Sequence, residues 1–282
     1  MVTDEHARVL DCGGDRLPAI LHAPESVHAR LGVVVVVGGP QYRVGSHRQF
    51  LLLARHLAAQ GIPVLRFDYR GMGDAEGEYR GFEHAGPDVT VAVDELTAAY
   101  PDLDGVVLWG LCDAACVAIR HAPDDDRVTG VVLLNPWVRT EAGSARAVVR
   151  HYYRRRVLSP DFWRKLAKGG INPLRVVRGF LSLVRRSRGE ASTPLSLPER
   201  MANDFARFRG RVLLILSGND LTADEFRDTV AASSRWRELL ARPGVSRVDL
   251  ADANHTFSRQ QWRDEVSRCT AEWIVEARAE QP

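Results

Sequence analysis

The sequence predicts an α/β fold, a mostly parallel, doubly wound sheet of eight strands. Three observations carry that expectation. Apolar runs such as LGVVVVV and RVLLILS are continuous rather than alternating, as in strands buried on both faces. Between these runs lie stretches with apolar residues at three and four spacing, and alternating strands and helices define a doubly wound sheet. Finally, 282 residues, 45% of them hydrophobic and 26% charged, suffice for one large soluble domain.

Strands are expected near Arg8–Cys12, Pro18–Ala23, Gly32–Val37, Ile62–Phe67, Val106–Trp109, Gly130–Leu134, Arg211–Leu216 and Val245–Leu250, the first two forming a hairpin. QFLLLARHLAAQG and PDVTVAVDELTAAYP read as amphipathic helices, the first closed by a Gly of the kind that ends helices. No run of eighteen apolar residues occurs, and the opening MVTDEHARVLDC is acidic where a signal peptide is basic, so the chain is expected to be cytoplasmic. The four cysteines, Cys12, Cys112, Cys116 and Cys269, show no CxxC spacing and imply neither a metal site nor disulfides. Cys116 reads as a small packed residue. No cofactor is implied.

After the fifth strand comes Gly110-Leu111-Cys112-Asp113-Ala114, the G-x-S-x-G nucleophile elbow of α/β-hydrolases with cysteine in place of serine. The turn is so tight that positions 110 and 114 must be small, and Gly110 and Ala114 are. A thiolate at Cys112 would be favoured by the unpaired N–H groups and positive dipole end of the helix that starts beside it. In this fold the orienting acid and the base follow in that order. Asp220 lies after the seventh strand and His255 after the eighth, in the loop Ala251–Phe257; Asp252 and Asp224 are the alternatives for the acid.

The oxyanion hole is expected from the N–H of Asp113 and from the loop Gly38-Gly39-Pro40-Gln41-Tyr42-Arg43. Pro40 has no N–H, which leaves Gln41 as the second donor and Gly39 as the fallback. Because its charge would oppose an anionic nucleophile, the Asp113 carboxylate is expected to point away or to cap the helix. Ser46 reads as a helix N-cap, while Tyr42 and His47 are candidate substrate contacts. The loop Phe67–Asp74 reads as scaffold shaped by turns and an internal ion pair.

Residues 137–208 are expected to form a helical cap inserted after strand 6, with 1–136 and 209–282 as the core. From Arg139 to Arg188 there are fourteen Lys and Arg against Glu141 and Asp161, in a chain whose net charge is only +2. Aromatic residues interleave with that charge, and Trp137, Tyr152, Tyr153, Phe162 and Trp163 are candidates to line an acyl site.

GLCDAA, GGPQYRVGSHRQF, VLRFDYRGMGDAEG and NPWVRTEAGSARAVVRHYYRRRVLSPDFWRKL together resemble the α/β-hydrolases associated with exosortase A systems and exopolysaccharide gene clusters, the first of two such types. The resemblance covers nearly the whole chain. It implies a hydrolase or acyl-transfer fold with a Cys112, Asp220 and His255 triad, without a settled substrate. Dienelactone hydrolases are similar in carrying an elbow cysteine, but theirs ends in Gly-Gly where this chain has Asp113-Ala114-Ala115.

The expected function is hydrolysis of an ester or thioester through an acyl-cysteine. Acyl transfer to an alcohol or amine is the alternative, and a non-catalytic binding protein the second. A carrier-bound or pantetheine thioester, an anionic membrane surface touched peripherally, and an anionic polysaccharide each fit the basic segment, the first best. Nucleic acid does not, because no recognition motif accompanies the charge.

Overall fold

The computed structural model describes residues 4–39, 41–139 and 195–276. The expected strands are present as β1 (Asp4–Cys12), β2 (Asp15–Ala23), β3 (Leu31–Val36), β4 (Val64–Phe67), β5 (Gly105–Leu111), β6 (Val128–Leu134), β7 (Arg211–Asn219) and β8 (Val245–Asn254). They form one sheet in the order β1-β2-β4-β3-β5-β6-β7-β8. The β1–β2 hairpin pairs antiparallel with itself and with β4, and the other neighbours are parallel. β5, the strand that carries the elbow, is buried along its whole length.

The strands differ from expectation at their ends. β1 begins at Asp4 because the hairpin register runs out to Ala23, although its first residues are exposed and carry no apolar signal. β7 and β8 run on past an irregularity until Asn219 meets Asn254. His255 therefore follows directly on a strand rather than sitting inside the loop expected over Ala251–Phe257.

The helices are α1 (Gln49–Ala59), α2 (Gly86–Ala99), α3 (Asp113–His121), α4 (Leu197–Arg207), α5 (Leu221–Ala232), α6 (Ser234–Leu240) and α7 (Gln260–Glu276). α1 packs with α7, while α2, α3, α4, α5 and α6 form a chain of neighbouring helices, as two faces of a doubly wound sheet require. Under α1, Phe50 meets the buried Trp109 of β5 edge-on at 5.5 Å. Among the described residues no helix is long and apolar enough to cross a membrane.

One expectation needs correction. Ser46 does not cap α1: its side chain makes no cap bond, and its N–H donates to Gln41 Oε1 at 2.9 Å. The chain enters α1 through left-handed His47 and Arg48 (φ 54 and 59) instead. Of the insertion expected over 137–208, the structure describes 137–139 and 195–208. Residues 140–194, with Tyr152, Tyr153, Phe162, Trp163 and the basic run after Arg139, lie outside the described residues, but α4 belongs to the core packing. It opens on a Ser196/Glu199 capping box and buries Met201, Ala202 and Phe205. Phe205 meets Trp236 of α6 edge-on at 5.7 Å, and Trp236 meets Phe226 of α5 at 5.5 Å. Phe205→Ala is therefore expected to cost about 3–5 kcal/mol in chemical denaturation, as for a core aromatic. A loss below about 1 kcal/mol would mean that α4 sits on the core without supporting it.

Candidate active site

The elbow is built by crowding. Cys112 joins β5 to α3 at φ 65 and ψ −121, a conformation that a side-chain-bearing residue holds only when its surroundings impose it. A Cβ on Gly110 would lie 2.5 Å from the Ala114 carbonyl carbon, and one on Gly38 would lie 2.6 Å from the Leu111 carbonyl oxygen. These contacts explain why both positions are glycine. The Cys112 N–H donates to the Leu134 carbonyl (2.9 Å), and its own carbonyl accepts from Trp137 N–H (3.2 Å), so β6 and its exit hold the turn from the side. Cys112 itself is half-buried. One turn on, buried Cys116 donates its S–H to the Trp137 carbonyl at 2.8 Å, and burial pushes this thiol up.

Asp220 precedes α5 and does two things at once. Its carboxylate accepts from Thr222 N–H (3.1 Å) and Ala223 N–H (3.3 Å), capping the helix, while Oδ2 meets His255 Nδ1 at 2.8 Å. That contact leaves Nε2 as the nitrogen facing Cys112. Burial alone would lower the imidazole, but hydrogen bonds and charge from Asp220 and Cys112 outweigh it and raise it from 6.5 to about 10. The alternative acids are placed differently, Asp224 against Arg227 (3.0 Å) and Asp252 exposed to solvent.

Residues that sequence reasoning missed hold this half of the site. Buried Asn135, left-handed at φ 42, accepts from Ser217 N–H (2.8 Å) and donates to Ser217 Oγ (2.9 Å) and to the His255 carbonyl (3.3 Å). Ser217 Oγ in turn donates to the Asn254 carbonyl (3.1 Å). The ends of β6, β7 and β8 are thus bonded together beneath the histidine. The available signal was Asn135, a polar residue ending an apolar strand and preceding Pro136.

The loop after β3 is clamped from across the sheet. Arg43 N–H donates to buried Asp68 at 2.6 Å, and the Arg43 guanidinium binds both Asp68 and Asp74, the latter at 2.7 Å. The ion pair expected inside Phe67–Asp74 therefore reaches out to Arg43, and Arg70 likewise reaches out to Asp88 on α2 (2.9 Å). Gln41 N–H donates to the Gly39 carbonyl at 2.8 Å, and Gly39 N–H donates to Asp113 Oδ2 at 3.0 Å. Asp113 Oδ1 accepts from Ala114 N–H (3.0 Å). The carboxylate thus joins the helix start, as expected, but spans to the loop instead of turning away from it. Burial raises its carboxyl, opposed by the N–H groups of Gly39, Ala114 and Asp113 itself and by the charge of His255. Tyr42 and His47 are exposed on this side, whereas Trp137 is half-buried with the Arg139 guanidinium 4.4 Å above its ring. Arg139 also pairs with buried Glu225 (3.2 Å).

A thiol on a strained strand-to-helix turn, beside an imidazole oriented by a carboxylate, can carry out nucleophilic acyl chemistry. Among the described residues no group of three or more His, Cys, Asp and Glu could hold a metal ion.

The chain belongs to the alpha/beta hydrolase family, whose pattern residues 33–268 match. No curated protein matches the sequence. Solved structures of similar fold include the Pyrococcus furiosus esterase Pf2001, at 16% identity and a TM-score of 0.66 over 97% of this chain and 91% of that one. XC6422 from Xanthomonas campestris, an α/β serine hydrolase without a lid, is similar at 15% identity and a TM-score of 0.60, covering 100% of this chain and 99% of that one. The Pyrococcus horikoshii acylaminoacyl peptidase is similar at 12% identity and a TM-score of 0.62, over 98% of this chain but 41% of that protein.

Two outcomes test the geometry. Gly110→Ala is expected to cost about 1–3 kcal/mol, since the new methyl must push the start of α3; unchanged stability would show that the elbow has room. For His255, a raised value in the fold means that its pairing stabilises the protein fully below about pH 6.5 and is lost as pH climbs to about 10. The Tm gap between wild type and His255→Gln should be widest at or below pH 6.5 and close toward pH 10. A gap that widens with rising pH would contradict the pairing.

Proposed function

We propose that this protein is a cysteine-dependent hydrolase of esters or thioesters that works through an acyl-cysteine at Cys112. The observation that carries the reading is the elbow cysteine held at φ 65 beside a histidine whose Nδ1 is 2.8 Å from Asp220. The Cys112 sulfur, its proton passed to His255, attacks the carbonyl carbon, and the C=O π pair moves onto oxygen. Collapse of that oxyanion expels the alkoxide or thiolate, which takes its proton from His255. Water then attacks the acyl-cysteine with His255 as base, and the thiolate leaves. Asp220 keeps the ring in the orientation that presents Nε2 and stabilises the imidazolium. The Asp113 N–H is the first oxyanion donor, and Gly39 or Gln41 the second.

A cysteine nucleophile suits thioesters, because the bond broken and the bond formed are of one kind. The charge excess between Arg139 and Arg188 supports an anionic acyl donor, such as a carrier-protein or pantetheine thioester. The motif resemblance supports a place among the exosortase-associated hydrolases.

Intact-mass spectrometry of wild type and Cys112→Ala, incubated with short acyl thioesters and activated esters, tests the reading. An acyl adduct is expected on wild type alone, with turnover falling about 10³-fold or more in the variant. Rapid loss of the adduct in water supports hydrolysis, and loss only on adding an alcohol or amine supports transfer. Neither adduct nor turnover would favour a binding protein on this fold.

A further inference from the structure

Asp113 is a half-buried ionisable group that the mechanism leaves unused, and it lies where that mechanism needs free N–H groups. Two of the three backbone donors nominated for the oxyanion hole are engaged. Gly39 N–H points at Asp113 Oδ2 (3.0 Å) and Gln41 N–H at the Gly39 carbonyl (2.8 Å), while the other carboxylate oxygen, Oδ1, accepts from Ala114 N–H (3.0 Å). Space at this point is tight as well, since a Cβ on Gly38 would lie 2.5 Å from Asp113 Oδ1. Gly38 thus gives the carboxylate its seat against the loop.

We propose that the Asp113 carboxylate occupies the oxyanion hole of this enzyme as a resident anion, making Asp113 a positioning residue that restrains acylation of Cys112. The inference rests on the reading of Cys112 as the acyl nucleophile. A carboxylate is the strongest acceptor the Gly39 N–H can meet, because its bond to that group is charge-assisted. For Gly39 N–H to reach a carbonyl oxygen that is gaining charge, the carboxylate must give up that bond. While it stays, its charge also opposes an oxyanion forming beside it. A substrate therefore pays twice at the transition state, once to displace an acceptor and once to build like charge next to it. The same contact fixes the loop before substrate arrives, which accounts for an acid being present in so crowded a place.

The test compares wild type, Asp113→Asn and Asp113→Ser with p-nitrophenyl acetate. Stopped-flow release of p-nitrophenol measures acylation, intact mass confirms the adduct on Cys112, and iodoacetamide labelling confirms that the thiol is present and reactive. Asn keeps the shape and removes the charge, while Ser removes the carboxylate and retains an oxygen for the start of α3. Acylation is expected to rise about tenfold or more in kcat/KM in both variants, since recovering one oxyanion donor is worth at least that. The gain should fall in the acylation rate constant with KM little changed, a split that loosened packing would not produce. Should Asp113→Asn fail to fold, Asp113→Ser decides. Equal or slower acylation in folded variants whose Cys112 still forms the adduct would overturn the inference, and would make the carboxylate a productive latch. If neither wild type nor variant forms an adduct while iodoacetamide labels Cys112, the acyl-nucleophile reading falls and this inference with it.

Discussion

The constraint on which the rest of the structure depends is the closeness of β5, the loop after β3 and the first turn of α3. Cys112 can stand at φ 65 only because its neighbours leave the chain no other course, and those neighbours work by being small. Gly110 clears the Ala114 backbone and Gly38 clears the Leu111 carbonyl. The strain is local, but what bears it is the whole sheet. β5 lies at the centre with every residue buried, and β6 receives the Cys112 N–H at its last residue. A sheet that flexed at this point could not keep the sulfur presented outward.

Two sets of bonds then orient what surrounds the sulfur, and they come from opposite sides. On one side Asn135 and Ser217 bind the ends of β6, β7 and β8 into one buried polar unit that fixes the His255 backbone. On the other, Asp68 holds Arg43 and with it the loop that carries Gly39 and Gln41. Buried polar networks of this sort restrict conformations because leaving any member unpaired is costly. Their common effect is that the charged groups of the site, the Asp220 carboxylate on the His255 ring and the Asp113 carboxylate on the Gly39 N–H, are held in a fixed geometry.

The sheet, the elbow and the downstream acid and histidine were legible because each depends on local pattern: continuous apolar runs, two small residues around Cys112, and polar residues opening after strands. What was hidden depends on partners far off in sequence. Nothing near Asp68 names Arg43, and nothing near Asp113 says that Gly39 will face it. Ser46 has the chemistry of an N-cap, yet the N–H groups it would cap lie beyond a pair of left-handed residues, and the Gln41 side chain takes its own N–H instead. α4 was read into the insertion because it lies between the sixth and seventh strands, where this fold inserts its cap. Its apolar face, with Phe205 turned to Trp236, is visible only once α6 is in place. The ends of β7 and β8 were underestimated for a related reason: Asn219 and Asn254 carry no strand propensity and pair because the sheet continues beneath them.

Asp220 shows how such double use narrows the freedom of a sequence to drift. One carboxylate ends the exposed donors of α5 and holds the histidine ring. Asparagine would keep the cap but present the imidazole with an amide, glutamate would reach the ring but overshoot the helix, and serine would serve the helix alone. None of these three substitutions preserves both contacts, and each would combine a change at the helix start with a change at the imidazole ring.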